Sequence, residues 1–410
     1  MKKIRNIIVG QSGGPTTVIN SSLAGVYRTA KVNGVENVYG MRHGIQGLLE
    51  EKNVNMCDYI KGELEIELLK RTPSSYLGSC RYKLPKYTED VSVYEKIFGI
   101  LNKLEIDAFF YIGGNDSMDT IAKLSAYATT IDSPIRFIGV PKTIANDLAV
   151  TDHTPGFGSA AKFIASTVKE LMLDGLVYDT SSVTVLEIMG RNAGWLTAAS
   201  ALARGEDCTG PDVILLPEVP VNLDEVVEKV NNIQKTKKSV IIAISEGAKM
   251  SDGRYVCELV TADTRVDAFG HKALTGAGRC MADKIAHDLK CKTRAVEFST
   301  IQRCAAHILS RVDMTEAFQV GASAFNEAAA GNTGKMITLE RRSSEPYICV
   351  TGSHDVQLIA NLEKKVPVEW INKDEFWVND EFIRYARPLI QAELYPFMID
   401  GVPKHIVLPC

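Results

Sequence analysis

Short, apolar, β-branched runs recur along the chain with room for a helix between most neighbours. They fall at Ile4 to Val9, Ala108 to Ile112, Ile135 to Val140, Ser182 to Ile188, Val213 to Leu216, Val240 to Ile244 and Ala295 to Phe298. Runs this short and this apolar predict strands buried on both faces. Between them the apolar positions take helical spacing, at Val18 to Ala30, Met118 to Tyr127, Ala160 to Met172, Leu223 to Ile233 and Leu274 to Asp288. The alternation predicts an α/β fold of mostly parallel sheets with right-handed crossovers. Ligands of such sheets bind beyond the carboxyl ends of the strands, so the turns after strands are where chemistry is expected. From about Lys364 the pattern changes. Trp370, Trp377, Tyr385, Tyr395 and Phe397 stand among many charges and predict a packed extension, a subunit contact being one role for it.

Composition narrows this picture. A chain of 410 residues exceeds one typical domain and predicts two. Its 45% hydrophobic and 23% charged residues are those of an ordinary globular protein. A formal net charge of −4 argues against nucleic-acid and membrane-surface roles, while local basic clusters can still hold phosphates. The nine cysteines form no C-x-x-C pair and no zinc-site spacing, which predicts reduced thiols. The apolar run near Met1 is too short for a signal-peptide core, and no stretch approaches membrane-spanning length, so the expected compartment is the cytoplasm. The seven histidines are dispersed, and none is expected to ligate a metal.

Three turns carry unusual residues. The first strand runs into Gly10-Gln11-Ser12-Gly13-Gly14-Pro15-Thr16-Thr17 and then a helix. Glycines let the backbone approach an anion, and the helix start offers free N–H groups. A plain tight turn would read the same way, and no Walker A lysine follows. The second turn, Gly113-Gly114-Asn115-Asp116-Ser117, offers more polar groups than a helix cap alone requires. The third is Pro141-Lys142-Thr143-Ile144-Ala145-Asn146-Asp147. It supplies a cation for phosphate in Lys142 and a hard oxygen for magnesium in Asp147, although an Asn-Asp turn is the bland alternative.

Taken in order and spacing, Ser12-Gly13-Gly14, Gly113 to Ser117 and Pro141 to Asp147 resemble the signatures of the phosphofructokinase family. Glu187-Ile188-Met189-Gly190-Arg191, Ser245-Glu246-Gly247, Leu77-Gly78-Ser79-Cys80-Arg81, Arg294 and Thr300-Ile301-Gln302-Arg303 extend the resemblance from about residue 4 to about residue 303. A lipid or NAD kinase shares only a Gly-Gly-Asp-type turn. The resemblance implies two Rossmann-like domains with the active site in the cleft between them. A donor-binding domain would comprise 1–140 plus about 256–305. A sugar-phosphate domain would comprise 141–255 plus about 306–363, with 364–410 as a C-terminal extension.

The resemblance also implies roles. Gly13, Gly14, Asp116 and Lys142 would bind the donor, and Arg81 and Lys142 would stabilise charge on the transferred group. Magnesium would lie near Asn115 and Asp147. Thr143, Ile144, Ala145, Met189, Gly190, Arg191, Glu246, Arg294, Thr300 and Arg303 would bind fructose 6-phosphate, some across a subunit boundary of a homodimer or homotetramer. Asp116 and Lys142 resemble the pyrophosphate-dependent branch, because the ATP-users have glycine and a small residue there. A carboxylate at 116 would occupy the space of an α-phosphate and repel its charge.

One position departs from the pattern in the middle of the site. Where the family motif reads Thr-Ile-Asp-Asn-Asp, this chain reads Thr143-Ile144-Ala145-Asn146-Asp147, and a methyl group cannot accept a proton. An inactivating substitution in an otherwise complete site and a natural non-catalytic, sugar-phosphate-binding relative both fit. Asn115 and Thr300 are further departures, and an ATP-dependent enzyme with an atypical pocket is the nearest rival reading.

Overall fold

The computed structural model describes residues 3–259 and 274–409. The chain first lays down β1 (Asn6–Gln11), β2 (Asn37–Met41), β3 (Asn53–Asn55), β4 (Ala108–Gly113) and β5 (Arg136–Pro141). It then crosses to a second sheet with β6 (Ser182–Ile188), β7 (Val213–Leu215), β8 (Ser239–Ser245) and β9 (Lys292–Glu297). Finally it returns to the first with β10 (Lys335–Ser344) and β11 (Tyr347–Asp355). The larger sheet has the order β11-β10-β5-β4-β1-β2-β3, antiparallel only at its two edges. The smaller has the order β7-β8-β6-β9 and is parallel throughout.

The apolar runs are continuous because helices cover both faces. Ile7 and Val9 of β1 pack with the helices Ile19–Val32 and Arg311–Ala329, while Ile8 between them packs with Ser92–Lys103 and Asn115–Thr130. In the smaller sheet Val183 and Val185 face the helices Leu223–Gln234 and Ala277–Leu289, and Leu186 and Ile188 face Phe157–Gly175. Each such side chain, fully buried, contributes roughly 1.5–3 kcal/mol.

Strand pairing reverses the expected allocation of the returning segments. β9 was expected with the donor-side sheet, but Ser182 pairs with Lys292 and Leu186 with Val296, which places it at the edge of the smaller sheet. The segment after 306 was expected with the sugar-side sheet, but Lys335 and Met336 pair with Ile138 and Gly139 of β5. Helix packing explains the return. The helices Ile19–Val32 and Arg311–Ala329 cross in backbone contact at two glycines. A Cβ on Gly25 would stand 2.1 Å from Phe318 O, and one on Gly321 would stand 2.0 Å from Ser22 O. A contact between residues so distant in sequence leaves no local periodic signal.

The C-terminal extension packs chiefly against the core beside the smaller sheet, where Trp370, Phe382 and Tyr385 gather around Trp195. Its last residues cross back, and Ile406 N donates to Thr72 Oγ1 at 3.1 Å. Among the described residues no helix is long and apolar enough to cross a membrane.

Candidate active site

The carboxyl ends of β1, β4 and β5 meet those of β6 and β8 across a cavity of about 340 Å³. From the larger sheet it is lined by Gly13 and Gly14, Asn115 and Asp116, and Lys142, Thr143, Ile144, Ala145 and Asp147. Met189, Gly190, Arg191 and Glu246 line it from the smaller sheet, with Arg303 from the turn Ser299–Arg303. Motifs far apart in sequence thus face one another across one space.

The donor-side turns lock together. Ser12 N donates to Ile112 O at 3.0 Å, carrying the β1–β4 ladder one residue further. Gly13 then turns with φ +74°, a conformation glycine adopts without strain. Gly113 is needed for a different reason: a Cβ there would stand 1.8 Å from Ser117 Oγ, whose hydroxyl donates to Ser12 Oγ at 3.0 Å. Lys142, only 2% exposed, donates from Nζ to Ser12 O at 2.8 Å and Gly14 O at 2.6 Å. The lysine therefore runs beneath the glycine turn and fixes its shape.

The electrostatics are those of a site for polyanions. Burial pulls the Lys142 amine down to about 7; Asp147 works against this and Arg303 adds to it. Burial and the neighbouring Arg81 lower Arg303 as well. Arg303 Nη1 lies 3.1 Å from where a Cβ of Gly14 would stand, so this cation reaches the donor turn. Cations that depress one another are relieved when a polyphosphate comes between them.

Two oxygen donors, Asn115 and Asp147, line the same cavity. Asn115 Oδ1 is buried and has no hydrogen-bond partner. Burial raises the carboxyl group of Asp147, as does Glu363, while the Thr143 hydroxyl lowers it. An orphaned amide oxygen and a buried carboxylate under like-charge stress are a hard-oxygen donor set suited to magnesium.

Across the cavity, burial pushes Glu246 up to about 7, against the pull of Arg191 and Arg303. It accepts from Gly190 N at 3.2 Å, and Ser245 Oγ donates to Gly190 O at 2.6 Å, so β8 holds the loop after β6. Gly247 could not be larger, because a Cβ would stand 1.8 Å from Arg191 O. Ala145 lines the cavity, and its N–H donates to Thr143 Oγ1 at 3.1 Å.

Three expected residues lie outside the cavity lining. Arg81 follows the irregular segment Leu77–Cys80, whose Cys80 O accepts from Gly13 N at 3.3 Å, and it lies close enough to influence Arg303. Arg294 and Thr300 are exposed, one on edge strand β9 and one in the turn after it. Asn192 and Glu363 are among the lining residues that were not expected. Glu363 pairs with Leu148 in an isolated antiparallel bridge and accepts at Oε1 from Asn192 Nδ2 at 3.0 Å. Glu363 comes from a stretch with no motif, and only tertiary pairing brings it here.

A family model described as phosphofructokinase matches residues 6–327. A protein of Methylococcus capsulatus named pyrophosphate–fructose 6-phosphate 1-phosphotransferase is 37% identical over 409 residues, covering 98% of this chain and 96% of that protein. One of the same name from Halomonas elongata is 36% identical over 403 residues, covering 97% and 95%. Among solved structures, a pyrophosphate-dependent phosphofructokinase from Nitrosospira multiformis superposes with a TM-score of 0.88 at 35% identity. That match covers 98% of this chain and 96% of the other.

Proposed function

We propose, from the premise that this chain belongs to the phosphofructokinase family, that its cavity serves reversible phosphoryl transfer between pyrophosphate and the 1-hydroxyl of fructose 6-phosphate. The observation that carries the choice of donor is Lys142 buried beneath the Gly13–Gly14 turn, with Asp116 lining the same cavity. A short donor has no nucleoside contacts, and a buried cation beside its phosphates compensates. Asp116 stands where a third phosphate and its nucleoside would have to pass.

Each group then has a task. The Gly14 N–H, Lys142 and Arg81 orient the donor and neutralise charge on the group in transit. Bound magnesium would supply further neutralisation of the donor oxygens, held by Asp147 and Asn115 Oδ1. Glu246 and the Met189–Arg191 loop hold the sugar, and Arg303 and Arg191 its phosphate, by two-pronged hydrogen bonds. Arg294 is exposed on edge strand β9 and Thr300 in the turn after it, positions that suit the neighbouring cavity of a second copy, so the working form is a homodimer or homotetramer. The free thiols of the described cysteines suit the cytoplasm.

The sugar hydroxyl must still lose a proton, and Ala145 offers no acceptor. Loss of a general base costs about 10²–10⁴-fold in rate. Ala145 therefore favours a second reading, a chain that binds both substrates and turns them over slowly or not at all. Calorimetry on the unaltered protein tests the donor assignment. Magnesium pyrophosphate should bind and magnesium ATP should not, and Asp116→Gly should admit ATP. Tight ATP binding by the unaltered chain, or no gain in Asp116→Gly, would sink the assignment of pyrophosphate.

A further inference from the structure

The C-terminal extension, which the sequence left without chemistry, touches the loop carrying Ala145 and Asp147 at two points. Lys364 N donates to Asp147 O at 2.8 Å, while its Nζ donates to Thr151 O at 3.1 Å and Asp152 O at 2.6 Å. The second contact involves Asn146, the residue between Ala145 and Asp147. Asn146 is wholly buried and has φ +56°, a left-handed conformation that asparagine adopts more readily than other non-glycine residues.

Both ends of the Asn146 side chain are engaged. Oδ1 accepts from Thr154 N at 3.0 Å, and Nδ2 donates to Tyr385 Oη at 2.8 Å. The phenol in turn donates to Asp152 O at 2.7 Å. The Tyr385 ring is itself fixed. The Arg341 guanidinium lies 4.7 Å from its centroid, and Trp195 and Trp370 lie at 5.2 and 5.5 Å. Arg341 also donates to Asp152 Oδ2 at 3.1 Å and to Tyr385 O at 2.9 Å.

Behind this lies a buried ion network. His153 is bound through its two ring nitrogens to Asp152 at 2.8 Å and Glu316 at 2.7 Å. Burial lowers the imidazole, but the two carboxylates outweigh it and hold it up at about 9. Cys349 Sγ lies within 4.8 Å of the same His153 and Glu316 ligand atoms. Held between the two carboxylates, the imidazole anchors a buried cluster that makes a rigid base for Asp152 and Tyr385.

We infer that Tyr385 is a positioning residue for the cation side of the active site: its hydroxyl holds Asn146, and through it the Asp147 carboxylate, where a magnesium–polyphosphate can be gripped. The inference rests on the reading of the cavity as a pyrophosphate site. If the ring served only to fill space, phenylalanine would do as well. Without the hydroxyl, Asn146 Nδ2 becomes a buried donor with no acceptor at that position. The backbone between residues 145 and 147 is then free to leave its left-handed turn, and the carboxylate of Asp147 moves relative to Asn115 Oδ1.

The test compares the unaltered protein with Tyr385→Phe and with Trp370→Phe, which alters packing on the same ring without touching Asn146. Amide hydrogen exchange is followed over residues 143–148, and calorimetry measures magnesium pyrophosphate and fructose 6-phosphate separately. In Tyr385→Phe, exchange in 143–148 should rise while β8 stays protected. Affinity for magnesium pyrophosphate should fall about 10-fold, the lower end of what lost support to a metal ligand costs. Affinity for fructose 6-phosphate should stay within about two-fold, and Trp370→Phe should leave pyrophosphate binding alone. Unchanged exchange overturns the inference. So does raised exchange with unchanged pyrophosphate affinity, or equal losses in both variants. If the unaltered protein binds no pyrophosphate at all, the reading of the site fails and the polyphosphate half of the inference falls with it. The exchange result is independent of that failure and distinguishes the two.

Discussion

Lys142 gives the sharpest physical prediction. Its amine is buried, bonded to Ser12 O and Gly14 O, and pulled down to about 7 by desolvation. At pH 8 such an amine is mostly neutral. Pyrophosphate arriving beside it favours the charged form, so binding at pH 8 should draw close to one proton from solvent per site. The sign follows from the lowered value. Below about pH 7 the amine already carries its proton and uptake should vanish, while above it uptake should grow toward one. Lys142→Met removes both the proton site and the cation. Truncating one member of a buried, hydrogen-bonded charge pair costs about 2–4 kcal/mol, or about 30- to 700-fold in Kd. Calorimetry in buffers of differing ionisation enthalpy reads both quantities. The difference between the unaltered protein and the variant separates the lysine from the titration of pyrophosphate itself. Equal proton uptake in the two proteins at pH 8, or a Kd changed by less than about three-fold, would refute the reasoning.

Two further outcomes follow from the geometry. Gly25→Ala would set a Cβ 2.1 Å from Phe318 O, and because that atom is backbone it cannot swing away. The variant should lose about 1–3 kcal/mol of stability, seen as a lower denaturant midpoint with an unchanged slope. Glu363→Gln concerns pH. The carboxyl group of Asp147 is raised by burial and by Glu363, and only its ionised form holds a cation. Magnesium-dependent pyrophosphate affinity should therefore decline as pH falls through that raised value. Removing the Glu363 charge should move the decline to lower pH, and a shift to higher pH, or none, would contradict the arrangement.

The site was legible in the sequence where its residues follow strands. Gly13, Gly113 and Lys142 stand immediately beyond or at the ends of apolar runs, in turns where backbone approach and cap oxygens leave a local trace. Long-range packing leaves no such trace. The pairing of Lys335 with Ile138 depends on a helix crossing between Gly25 and Gly321, and neither glycine carries that message alone. Glu363 and Tyr385 reach the site through the fold of a segment whose aromatic and charged composition announces packing but no partner. β9 reads as a buried strand from its sequence yet lies at a sheet edge with alternate residues exposed. An edge strand and a strand buried in its own sheet share one pattern.

The measurement that tests the account most directly is turnover in Ala145→Asp beside the unaltered protein. Fructose 1,6-bisphosphate formation is followed with magnesium and either pyrophosphate or ATP. The account predicts a gain of about 10²–10⁴-fold in kcat with pyrophosphate, little change in KM, and no comparable gain with ATP. No gain with either donor, or an ordinary enzymatic rate from the unaltered chain, would contradict the claim that this site is a pyrophosphate-dependent phosphotransferase lacking only its proton acceptor.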